Sequence, residues 1–523
     1  MAGLFNTLNI AVKGLNAQQT ALHTTSHNIS NINTMGFSRQ RVELKADTSY
    51  TYVGVGQLGT GVKLVGVVRM VDDFVNDQIR KENSALNQYV AKDNVMSQIE
   101  KVFNEPSDTG LNFAMNEMFN SWQELSKNPE SLNAQSIVVE KSKTFAETLN
   151  HMASQIDGLK GDTVSNIEKN ALDINSLAER LSTINDQIFN ITVKGQSPND
   201  LLDERDLLMK EMNGLAEMTA KFDKWGRVSL TLDGKELTAK DNPAKLSVIS
   251  DVKTNKDGTV TLQIAVGGDT SKMEPMTLSA EEAKNFKAGS PVFYNADSVT
   301  EPKVTLANIS SGVIGGNLEA INEIEARIKE LDLFAKGTAK LINTVHKSGV
   351  EGVDFFTFKK NADNSTGEPI ALNFSVNPDL LADESKVATG ELITSPEGDG
   401  SRALAIANLR NTKINFKDVD NLMDNYDTDT MKFKDATGGV TMNGSYNNIV
   451  TKVGISTQQA SNMVKNEEAV MTQLTNRRES VSGVSLDEEV TNLMKFQRGF
   501  EANSRVISTL SEMLDTLINR TGI

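Results

Sequence analysis

The sequence predicts a mainly α fold with a β insertion, whose first and last helices come from opposite ends of the chain. Three observations predict it. Narrow apolar stripes with alternating spacings of four and three occupy both termini, first at Leu4, Leu8, Ala11, Leu15, Gln18, Leu22, Thr25 and Ile29 and again at Leu486, Val490, Leu493, Gln497, Phe500, Ser504 and Ile507. From Trp225 the apolar period becomes two, and from Leu318 it is helical again. An order of helix, β insert and helix means that the helical body is built from both halves of the chain.

Taken in order, the opening helix should stop near residue 30, where Asn28, Asn31, Asn33 and Gly36 favour left-handed backbone. Residues 84–127 and 130–220 read as hairpins of a long helical bundle, punctuated by Pro106, Pro129 and Pro198, with Ile174, Leu177, Leu181, Ile184 and Ile188 as one apolar row. Val228, Leu230 and Leu232 alternate with polar residues up to Asp233-Gly234, and Val260, Leu262, Ile264 and Val266 do so after Asp257-Gly258. Helical spacing returns at Leu318, Ile321, Ile324, Ile328, Leu331, Phe334, Leu341 and Val345. A strand-rich piece near 351–376 holds Phe355, Phe356 and Phe358, and 440–481 is helical again. Ser485 and Glu488 have the spacing of a capping box, which would open the last helix. Beyond Ile507 a three-residue step moves its stripe to Leu510, Leu514 and Leu517. Three domains are therefore expected: a discontinuous terminal coiled-coil pair from 1–80 and 482–523, a bundle from 81–221 and 309–481, and a β-rich outer domain over 222–308.

Composition narrows the function. The 523 residues are ample for several cores, and 53 Lys and Arg against 69 Asp and Glu leave a net charge of −16, which repels nucleic acid. With no cysteine and 4 histidines, disulfides, thiolate zinc sites and a cysteine nucleophile are excluded. A mean hydropathy of −0.33, with no apolar run near the roughly 18 residues that span a bilayer, argues against membrane insertion. The first 30 residues carry no readable secretory signal.

The motifs that could carry chemistry read more simply as structure. Gly54, Gly56 and Gly59 satisfy a dinucleotide-binding spacing, yet Val62 to Val68 after them is strand-like, so a Gly-rich turn is the better reading. Asp424, Asp427 and Asp429 lack the glycine and distal glutamate of a calcium loop. His23 and His27 are four apart on a helix without a glutamate between them, and His346 sits where a cation would suit a helix C-terminus. No nucleophile and base pair up, so no enzyme, cofactor or metal site is expected. The stripes suit an intramolecular bundle by periodicity alone. Their place at the two ends, where chains fray, suits a core completed by other copies of the chain.

The same ends carry a resemblance. LNAQQTAL at 15–22, NISNINTMGFSRQ at 28–40 and LDEEVTNLMKFQ at 486–497 resemble the ends of bacterial flagellar axial proteins. Gly59-Thr-Gly61-Val62 with Arg69, Asp72 and Phe74, SPNDLLDERD at 197–206, Gly315-Gly316, the 343–349 segment and ALAIANL at 403–409 resemble the hook-associated members of that family. Met35 and Phe37 depart from the proline and tyrosine usual there. The resemblance implies a structural subunit that forms a ring at the junction of hook and filament, exported without cleavage to the extracellular flagellum. It implies as partners further copies of itself, hook protein, a second hook-associated protein and an export chaperone on the C-terminal region. Polymer and partner contacts would then fall on Leu4, Leu8, Leu15, Leu22, Asn28, Asn31, Gly36, Phe37 and Gly61, and on Leu486, Leu493, Phe500, Leu510, Leu514, Leu517 and Ile518.

Overall fold

The computed structural model describes the chain except residues 1, 53, 55, 104, 242, 296–301, 349–351, 360–368, 393–394 and 521–523. Gly349 and parts of the 351–376 piece and of the C-terminal end therefore lie outside the described residues. Helix α1 (Ala2–Ser30) opens the chain and is followed by β1 (Gln40–Ala46), β2 (Tyr50–Tyr52), β3 (Gly56–Leu58) and β4 (Val62–Arg69). β1 and β4 form an antiparallel ribbon running from Gln40 opposite Arg69 to Ala46 opposite Val62, with a bulge between Glu43 and Leu44. β2 and β3 pair as a hairpin at its tip, with Gly56 to Leu58 on β3, so the glycine-spaced motif lies in a hairpin rather than at a helix N-terminus.

The body begins with α2 (Asp73–Phe103), α3 (Leu111–Lys127), α4 (Leu132–Thr192) and α5 (Asn199–Leu215). α4 is 61 residues, about 90 Å at 1.5 Å per residue, and Ser131 caps it by accepting from the Ala134 N–H. Strands β5 (Thr219–Phe222), β6 (Val228–Leu232) and β7 (Lys235–Glu236) form one small sheet. A second, antiparallel throughout, is built from β8 (Leu246–Thr254), β9 (Val260–Ala265), β10 (Met273–Leu278), β11 (Pro291–Tyr294) and β12 (Val304–Leu306) in the order β10-β9-β8-β11-β12, with the short α6 (Ala280–Ala283) between β10 and β11. α7 (Gly312–Lys347) returns to the helices. β13 (Phe356–Phe358) pairs with β14 (Phe374–Val376), α8 (Pro378–Ala382) and α9 (Ser401–Asn408) follow, and β15 (Tyr426–Asp427) pairs with β16 (Lys432–Phe433). α10 (Met442–Ser482) and α11 (Leu486–Asp515) end the chain, the last turn opening into a π-helix over Thr516–Arg520.

Three apolar cores hold the body together. One gathers Met96, Phe103, Trp122, Phe145, Phe334 and Tyr446 from α2, α3, α4, α7 and α10. The second joins Ile174, Leu181 and Ile188 of α4 to Met209 and Met212 of α5, Leu230 of β6, and Leu246 and Val248 of β8. The third lies within the five-stranded sheet around Ile249, Leu262 and Val292. The β-rich segment is thus fused to the far half of α4 through a shared core. Not one residue of α1 or α11 belongs to any of these cores.

Two local expectations are corrected. Ser485 makes no side-chain cap bond, and the Glu488 side chain reaches Arg39 rather than back to the helix start; the reciprocal Ser-Glu box occurs at Ser279 and Glu282 of α6. His346 is fully buried rather than a cation at a helix end. Its Nδ1–H donates to the Val353 carbonyl at 2.9 Å, its Nε2 accepts from the Ala388 N–H at 3.1 Å, and burial holds its pKa down at about 4. The cation at the end of α7 is the buried Arg402, whose guanidinium donates to the carbonyls of Val345, Ser348, Gly390 and Glu391.

Candidate assembly site at the terminal helix pair

α1 and α11 lie antiparallel. An added Cβ at Gly14 would meet Asn503, one at Gly499 would meet Gln18, and Asn28 at one end touches Glu489 at the other. The seam buries Ala11, Ala17, Ala21, Thr24, Thr25 and Asn28 of α1, while Leu8, Leu15 and Leu22 of the sequence stripe, like Leu493, Phe500 and Leu514 of α11, are covered only in part. Of the thirty residues of α11, only Glu489 and Leu510 are buried. Leu486 is 50% exposed and Ile518 62%, with Val490, Met494, Val506, Met513 and Leu517 exposed between them. Two helices cannot cover each other's full circumference, so apolar flanks remain on both sides of the seam. Leu4 lines a shallow cleft with Met513 and Leu517 at the far tip.

Gly61 fixes how the ribbon meets this pair. Its φ is +98°, in the left-handed region open to glycine, and a Cβ there would lie 3.4 Å from the Ile10 Cα. Its carbonyl accepts from the Asp47 N–H at 2.9 Å, and Asp47 in turn accepts from the Lys13 ammonium at 2.5 Å. Of the residues expected to turn the chain after α1, Gly36 alone has a positive φ, +84°. Asn28 is instead inside the helix and fully buried.

Asn28 begins a polar elbow that sequence reading missed. Its amide donates to the Gln40 carbonyl at 2.9 Å and to Glu489 at 3.1 Å, while its oxygen accepts from the Gln40 N–H. Arg39 donates to Glu488 at 2.9 Å and Glu489 at 2.8 Å. On the body side Asp203 accepts from the Ser38 N–H at 3.1 Å and from Arg69 at 2.7 Å, and Asp206 is shared by Arg69 and Arg205. Burial pushes the Asp203 carboxyl up, with Arg69 and Ser38 pulling the other way. Asn199 donates to Gln40 and to the Val67 carbonyl, and Asp200 accepts from Gln40 at 2.9 Å beside the His27 ring at 3.3 Å. The conspicuous SPNDLLDERD stretch therefore supplies the body's half of the joint. Ion pairs and amides, rather than a shared apolar core, connect the terminal pair to the body.

Among the described residues no group of three or more His, Cys, Asp or Glu could hold a metal, and no helix is long and apolar enough to cross a membrane. What the arrangement offers is surface for other protein. The paired terminal helices, set on a separate body, are the part of the chain that is similar to axial subunits of the bacterial flagellum. The two ends match models described as flagella basal body rod protein over 8–37 and flagellar basal body rod FlgEFG protein C-terminal over 478–520. The body distinguishes among such subunits, matching the flagellar hook-associated protein FlgK helical domain over 96–279. Flagellar hook-associated protein 1 of Bacillus subtilis is 29% identical over 545 residues, covering 100% of this chain and 99% of that protein. The Escherichia coli protein of the same name is 27% identical, covering 98% and 99%. Over nearly its whole length the chain is thus similar to flagellar hook-associated protein 1, and these relatives are flagellar structural proteins rather than enzymes. In fold it is similar to the flagellar hook junction protein FlgK of Burkholderia pseudomallei, with a TM-score of 0.58 at 14% identity over 78% of this chain and 100% of that one.

Proposed function

We infer that this chain is a structural component of the hook-filament junction of the bacterial flagellum, assembled from many copies through its terminal helices. The observation that carries the reading is α11, a helix of thirty residues that leaves all but two of them incompletely buried. Apolar side chains of leucine size stabilise by roughly 1.5–3 kcal/mol each when fully covered, so neighbouring subunits gain by packing on these flanks. The pair would line the inner layer of a tube, with the body outside it and the β-rich segment outermost. Copies would close into a ring between hook protein and a second hook-associated protein. Before extracellular assembly, an export chaperone would cover the α11 stripe in the cytoplasm. The absence of cysteine suits a chain that is exported unfolded and refolds outside the cell without disulfide chemistry.

Another axial subunit, of hook, rod or filament, is the competing reading, and the two rod-type matches at the ends favour hook or rod among these. Those matches cover only the shared terminal helices, whereas the helical-domain match lies in the body. A strain lacking the gene decides between them. It should build complete hooks and release unpolymerised filament protein into the medium; a strain that builds no hook would assign the chain to hook or rod.

A further inference from the structure

At the outer side of the elbow, the turn after α1, the first turns of α2, the middle of α5 and the end of α10 enclose a cleft of about 490 Å³. Its apolar wall includes Ile32, Ile79 and Met35, the last 82% exposed at the rim. Three cations line it: Arg80, Lys210 and Arg478. The nearby carboxylates are already engaged. Asp206 accepts from Arg69 and Arg205, Glu479 from Arg478, and Asp77 from Arg80 and Lys81. The Lys210 ammonium has no carboxylate partner among the described residues, and burial together with the Arg478 charge pulls its pKa down. A half-buried ammonium facing a second cation is stabilised by an anion brought from outside.

We infer that this cleft receives a carboxylate-bearing segment of a second copy of the chain, held by Lys210 with Arg80 and Arg478 around it. The choice of occupant follows from charge and position. With a net charge of −16, two copies repel over most of their surfaces, and the Lys210 ammonium in this cleft converts that excess of carboxylates into a directed contact. Gly483 and Val484 line the cleft and lead directly into the exposed Leu486, Val490 and Met494 of α11. It is therefore continuous with the apolar flank on which assembly is proposed above. The inference rests on that reading and adds the group that fixes the neighbour's register.

Carbodiimide treatment of isolated hook-filament structures tests it, since the reagent joins a lysine amine to a carboxyl only when the two are in contact. The expected product is a covalent dimer, at twice the 57.0 kDa of the chain, in which peptide mapping finds Lys210 joined to an Asp or Glu of the second copy. Lys210→Arg should assemble but lose that dimer, and Lys210→Glu should lose assembly while the isolated protein melts as before. Lys210 left unjoined while other lysines react, joined within its own chain, or joined to a different flagellar protein would overturn the inference. If the chain is missing from those structures altogether, the junction reading fails and this contact falls with it.

Discussion

α4 and α11 are both long amphipathic helices, yet they are finished to different degrees. α4 buries twenty-two of its residues, including Phe145, Ile167 and Ile174 at full depth, against partners supplied by its own chain. α11 packs mainly on α1 and buries Glu489 and Leu510. The contrast teaches that the body's helices are covered within one chain, whereas the terminal helices keep exposed apolar flanks that the proposed assembly would cover. Substitutions in the two regions should therefore separate stability from assembly.

The largest expected effect is on assembly. Replacing Leu514 and Leu517 by Asp places charge on the half-covered tip of the seam and should abolish junction formation, scored as filament-less hooks by electron microscopy. The body's calorimetric transition should stay where it was, because no terminal side chain enters its cores. Trp122→Ala should do the reverse, costing the body about 3–5 kcal/mol in denaturant unfolding through loss of a fully buried indole.

His346 gives the next effect. Its folded pKa of about 4 lies below its ordinary 6.5, so the neutral ring stabilises the body above pH 6.5 and that contribution is lost as pH falls toward 4. The loss is on the order of 3 kcal/mol, and urea midpoints of His346→Gln should show a shallower pH dependence across that window. Smallest in energy, at about 1–3 kcal/mol, is Gly61→Val, which strains a positive φ and pushes on Ile10. It should lower the protection of the β1–β4 ribbon in hydrogen exchange and leave α4 unaffected.

Much of this architecture is legible in the chain because periodicity reports which face of an element is covered. The stripes at Leu4 to Ile29 and Leu486 to Leu517, the change to period two and its reversal all mark elements seen in the structure. Periodicity cannot report what covers a face, so the fusion of the β-rich segment to the far half of α4 was not visible. The elbow was invisible for a different reason. Asn28, Arg39, Gln40, Asp203 and Glu489 are ordinary surface-type residues in sequence, and only long-range contact shows that they desolvate one another. Glu488 and His346 show the cost of local rules, since each satisfies a helix-end pattern while its side chain serves a tertiary contact.

The central claim is that α1 and α11 are finished by other copies, and hydrogen exchange on the isolated protein and on assembled hook-filament structures tests it most directly. In the monomer, amides of residues 2–30 and 486–515 should exchange much faster than those of α4, and in the assembly they should become as protected as α4. Equal protection of the two helices and α4 in the monomer, unchanged on assembly, would contradict the account and make the α1–α11 seam an internal packing surface.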